Sequence, residues 1–104
     1  MAVIVVATAI PVPEYRGEVI AAFEAAIEKV HESEGGCLLY ALHETQDGKL
    51  VMIEKYESGE AFAAHVKGDG LAALIVALKD KLTGPMDVQM LAPHSAGSAS
   101  KGAL

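Results

Sequence analysis

Residues 3–10 read VIVVATAI, apolar at every position but Thr8. So short a run, rich in β-branched residues and without alternation, predicts a strand covered on both faces. Pro11 and Pro13 stop it. From 14 to 33 the period changes. Tyr15, Val19, Phe23, Ile27 and Val30 recur every three or four residues, the stripe of an amphipathic helix. Pro13 and Glu14 suit its first turn, Lys29 and His31 its last, and Gly35-Gly36 ends it.

Two strands follow, over 37–45 and 49–57. Asp47-Gly48 between them is a hairpin signal, because glycine accepts the positive φ of a tight turn. Ser58 can cap the next helix, on which Phe62 and His65 share a face. The pattern breaks at KGDG, where Asp69 can cap a second helical segment with a stripe of Leu71, Leu74, Ile75, Leu78 and Leu82. Met86, Val88 and Met90 then alternate with Asp87 and Gln89 as a last strand. Strand, helix, strand, strand, helix, strand is the split-βαβ order of an α+β, ferredoxin-like fold with an antiparallel sheet. Residues 1–93 are expected to form this single domain and 94–104, small and polar, a flexible tail.

Counting faces adds a partner. In this plan both helices lie on one side of the sheet. Yet the first two strands are apolar on both sides: Val3, Val5 and Ala7 against Ile4, Val6 and Ile10, then Leu39 and Ala41 against Leu38, Tyr40 and Leu42. The chain has no element left to cover the second face, so a homodimer packed sheet to sheet is expected.

Composition narrows the functions. A net charge of −6 with scattered basic residues speaks against nucleic acid and against an anionic membrane surface. The N-terminus has no basic segment before its apolar run and is too short to span a bilayer. A single cysteine, Cys37, allows no intrachain disulfide and fits a cytoplasmic location; in an apolar strand it reads as a small buried hydrophobe. No phosphate-binding loop follows a strand and no GxSxG occurs, so no dinucleotide or triphosphate site is supported; the four histidines lack zinc-motif spacing, so no metal is expected unless one is assembled in three dimensions.

What remains is a small polar set on an apolar frame. Met52, Glu54 and Tyr56 share one face of the third strand, and Leu38, Tyr40 and Leu42 one face of the second. Thr8 lies on the face of Ile4 and Val6. Glu54 either faces solvent or is paired in a cavity, where burial would raise its pKa and suit it to act as a base. His43 sits near a strand end. His65 belongs to the inward helix face or its edge, where a structural and a functional role are both open.

Two stretches then carry a resemblance: GCLLYALHE, and LVMIEKYESGEAFAAH. Gly36, Cys37, Leu38, Tyr40 and Leu42, then Ile53, Glu54 and Tyr56, then Ser58, Ala61 and His65 resemble the pattern of the antibiotic biosynthesis monooxygenases, including quinol monooxygenases. The resemblance runs from residue 3 to about 92. It implies a dimeric α+β barrel and cofactor-free oxidation of a quinol, anthrone or similar electron-rich aromatic by O2. It further implies His65 as base or donor, Thr8, Tyr40 and Tyr56 as donors or pocket lining, and Phe62 as packing for the substrate ring; from their own strand positions Glu54 joins them as a catalytic candidate and His43 as a substrate-binding one.

The chain departs from the family in two places. Tyr56 stands where most relatives carry Trp, and KGDGLAA replaces a stretch in which many carry a second His. Haem-degrading relatives carry an Asn, a Trp and an axial His at positions that correspond to Thr8, His65 and Leu74 or Ile75, so haem chemistry is disfavoured. The fold also serves stress-responsive or ligand-binding dimers without catalysis, which stands as the alternative.

Overall fold

The computed structural model describes residues 1–104. Strand β1 (Val3–Ala9) leads through a 3-10 turn at Pro13–Tyr15 into α1 (Arg16–Ser33). Strands β2 (Cys37–Glu44) and β3 (Leu50–Tyr56) form a hairpin, and α2 (Gly59–Val66) and α3 (Asp69–Leu78) precede β4 (Asp87–Leu91). The strands make one antiparallel sheet in the order β2-β3-β1-β4, and the architecture is ferredoxin-like α+β.

Local chemistry explains most boundaries. Pro13 opens the 3-10 turn, so α1 begins two residues after the expected start. The hairpin turns at Gly48, whose φ of 90° is open to glycine at little cost. Ser58 caps α2, its Oγ accepting from the Ala61 amide at 3.1 Å. The N-cap of α3 is Gly68 rather than Asp69, and Asp69 occupies the first helical position, where its charge favours the dipole.

The core lies between the sheet and α1 with α3. Ala7 and Ala9 of β1, Tyr40 of β2 and Leu50 and Met52 of β3 meet Val19, Phe23, Ala26 and Val30 of α1 and Leu74 and Leu78 of α3. The α3 stripe is narrower than its spacing suggests, because Ile75 is largely exposed.

Two irregularities shape the space above the sheet. In β2 the register skips between Cys37 and Leu39, so Leu38 bulges outward and is 55% exposed. The shared face of Leu38, Tyr40 and Leu42 is therefore corrected to Cys37, Tyr40 and Leu42. Beside it, a Cβ on Gly36 would sit 2.6 Å from the Ala61 Cβ. The bare glycine is what lets α2 settle against the start of β2.

The other face carries Ile4, Val6 and Thr8 of β1, Val51, Ile53 and Lys55 of β3, and Leu39, Ala41 and His43 of β2. No helix covers it. The tail returns to the sheet at Lys55, whose Nζ donates to the Leu104 carbonyl at 2.7 Å. Ile4, the cross-strand partner of Lys55, is the one buried side chain on this face. No single helix is long and apolar enough to cross a membrane.

Candidate active site

Between the helices and the sheet lies a cavity of about 160 Å³. Its walls are apolar: Val5 and Ala7 from β1, Met52 from β3, Phe23 from α1, Leu71 and Leu74 from α3, Met86 and Val88 from the last strand and the residue before it. Two ionisable side chains, Glu54 and His65, interrupt them, with Tyr40 and Phe62 alongside.

Strand alternation delivers Glu54. It lies between Met52 and Tyr56 on the helix-facing side of β3 and is 5% exposed, so of its two readings the cavity one holds. Burial raises its pKa, while the hydrogen bond from Tyr56 and the nearby imidazole of His65 pull the other way. Tyr56 Oη donates to Glu54 Oε1 at 2.6 Å. Burial and that carboxylate raise the Tyr56 pKa, so the phenol stays protonated and remains the donor. Tyr56 thus stands behind the cavity wall and acts on its neighbour.

Helix α2 delivers His65, which is 3% exposed. Its ring packs among Tyr40, Tyr56 and Phe62, with centroids 5.2, 5.1 and 6.4 Å away. Its Nε2 is 3.9 Å from Glu54 Oε1, close for a charge but too far for a hydrogen bond. Its Nδ1 is 2.7 Å from Glu34 Oε1. Burial, the first cause, and the nearby carboxylates raise the Tyr40 pKa, so it too stays a phenol.

Five of the residues singled out in the sequence therefore converge: Tyr40, Glu54, Tyr56, Phe62 and His65. Thr8 and His43 are not brought to the cavity. Their strand positions point them to the opposite face, where Thr8 lies across from Val51 and His43 also lies across from it on the other side of β3. His43 is exposed, with Nδ1 3.1 Å from the carbonyl of Ala41 on its own strand. Glu34 is the residue the sequence did not disclose. It falls just past a helix end, and only the fold carries it 31 positions along the chain to His65. Burial pushes the Cys37 thiol up to about 11, which keeps it a poor nucleophile. No three His, Cys, Asp or Glu side chains are grouped so as to hold a metal ion.

Comparison with known proteins places the fold and the sequence. Rv0793 of Mycobacterium tuberculosis, named as a candidate monooxygenase, is 34% identical over 98 residues, covering 93% of this chain and 96% of that protein. Its solved structure superposes with a TM-score of 0.86 at 32% identity, over 94% of this chain and 100% of that one. A Caulobacter crescentus structure, described as a candidate antibiotic biosynthesis monooxygenase, gives a TM-score of 0.82 at 28% identity, over 86% and 87% of the two chains. The sequence model for antibiotic biosynthesis monooxygenases matches residues 2–76, a span that holds β1 through α2, most of α3 and every polar group of the cavity. With that match and these relatives, the chain belongs to the antibiotic biosynthesis monooxygenase family.

Proposed function

We propose that the chain is a monooxygenase that oxidises an electron-rich hydroxylated aromatic, a quinol or anthrone-like molecule, with O2 and without a cofactor. The observation that carries this reading is the placement of a buried carboxyl and an imidazole in the wall of an otherwise apolar cavity. A cavity of about 150 Å³ holds a benzene ring, so a void of about 160 Å³ suits one ring of the substrate. The half-exposed side chains of Val66 and Val88 leave a side through which further rings extend.

His65 takes a proton from the substrate at Nε2, which leaves an electron-rich anion. The anion passes one electron to O2, and the substrate radical and superoxide combine to a peroxide at a ring carbon that bears hydrogen. His65 returns the proton to the outer peroxide oxygen. Loss of the remaining hydrogen from that carbon as a proton, with cleavage of the O–O bond, gives a carbonyl and water. One substrate and one O2 thus yield one quinone-type product and one water, with four electrons drawn from the substrate. Glu54, held by Tyr56, stands beside the imidazolium and stabilises it between the two proton transfers.

The reading includes a cytoplasmic homodimer joined through the uncovered face, where Val6, Leu39, Val51 and Ile53 form an apolar surface on a sheet with no layer above it. Turnover with isotopically labelled O2 tests the chemistry. One labelled oxygen in the product and one in water is expected. Tight binding of quinols with no O2 consumption would instead favour a ligand-binding dimer, for which the apolar lining also serves.

A further inference from the structure

Packing and charge hold His65 in different ways. The rings of Tyr40, Tyr56 and Phe62 fix where the imidazole sits. They are indifferent to which nitrogen carries the proton. Glu54 does not decide it either, because its Oε1 accepts from Tyr56 and lies 3.9 Å from Nε2. Glu34 is the group with a directional contact, Oε1 to Nδ1 at 2.7 Å, and an ionised carboxylate can only accept.

The placement of Glu34 is costly in other respects. Its carboxylate sits at the C-terminal end of α1, the unfavourable end for a negative charge. Its side chain is 14% exposed, and Oε2 is buried with no hydrogen-bond partner. Room for Oε2 comes from Gly68, where a Cβ would lie 3.1 Å from it. No Lys or Arg pairs with Glu34, and its one ionic contact is His65.

We propose that Glu34 is a positioning residue, which receives the Nδ1 proton of His65 in a hydrogen bond and so leaves Nε2 as the proton acceptor facing the cavity. The inference rests on the reading of His65 as the base, but its structural part stands apart from turnover. The same logic governs the carboxylate of a Ser-His-Asp triad, where an amide in its place holds the wrong tautomer and turnover collapses.

Glu34→Gln is nearly isosteric and separates the two roles, since an amide can donate to Nδ1. Heteronuclear NMR of the ring nitrogens, followed across a pH series, reads the tautomer directly. The native protein is expected to carry the proton on Nδ1 and Glu34→Gln to carry it on Nε2. Turnover should fall on the order of 100-fold or more with KM within about threefold. In Glu34→Ala, added formate should restore part of kcat by entering the surface groove formed by Glu34, Gly36 and Lys67, and should do nothing for His65→Ala. A native ring protonated at Nε2, or a Glu34→Gln ring that keeps its proton on Nδ1, would overturn the proposal. A tautomer switch in a protein that consumes no O2 would leave the positioning role standing and remove the oxygenase reading instead.

Discussion

The two faces of the sheet are both apolar, yet they are built differently. On the helix side the apolar walls enclose Glu54 and His65, and the few polar groups have defined partners at 2.6 and 2.7 Å. On the other side Val6, Val51, Ile53, Leu39 and Ala41 present a surface with no helix above it, and Thr8, His43, Lys55, Asp87 and Gln89 are its polar members. Apolarity alone therefore does not distinguish a site from an interface. In the proposed reading, buried, hydrogen-bonded ionisable groups mark the first, and an unpartnered continuous face marks the second.

Removing a core ring from the helix side should have the largest effect. Phe23 is 1% exposed and lines the cavity, so Phe23→Ala should cost roughly 3 to 5 kcal/mol of stability in urea unfolding. On the opposite face Ile53→Asp should act on assembly. Sedimentation should show self-association weakened about 100-fold, or roughly 2.7 kcal/mol, with the cavity side chains undisturbed. An Ile53→Asp chain that associates as the native one does would move the interface elsewhere.

A third effect depends on pH. Burial raises the Glu54 pKa above its ordinary value of 4.5. In acid the group is protonated in folded and unfolded chains alike. As pH rises past the ordinary value, the unfolded chain loses its proton first, and stability declines until the folded group ionises too. Glu54→Gln keeps an acceptor for Tyr56 and removes this decline. Its stability relative to the native chain should therefore improve between acid and neutral pH, as followed by denaturant midpoints; a difference that does not vary with pH would contradict the burial argument. The smallest effect is expected from Thr8→Val and His43→Ala, which should leave turnover within about threefold, a barrier change below about 0.7 kcal/mol.

Much of the architecture was legible because periodicity reports burial. An unbroken apolar run located β1, the Asp47-Gly48 turn the β2–β3 hairpin, apolar stripes α1 and α3, the Ser58 cap α2 and alternation β4, and the shared face of Met52, Glu54 and Tyr56 followed from alternation alone. What was not legible depended on breaks in period or on distance. The Leu38 bulge inserts a residue that alternation does not anticipate. Thr8 and His43 have suitable chemistry, and nothing in their local sequence says that the helices cover the other side. Glu34 follows a helix end, where a carboxylate looks like a solvated terminus, until α2 brings His65 to it.

In the proposed function the helix-side cavity performs acid–base chemistry on a substrate that then reacts with O2. The most direct measurement is O2 uptake by native protein and by His65→Ala across a panel of quinols and anthrones, against the autoxidation baseline. Uptake well above baseline that is lost in the variant is expected. Equal uptake in both proteins would contradict the role given to His65 and move the base to another group.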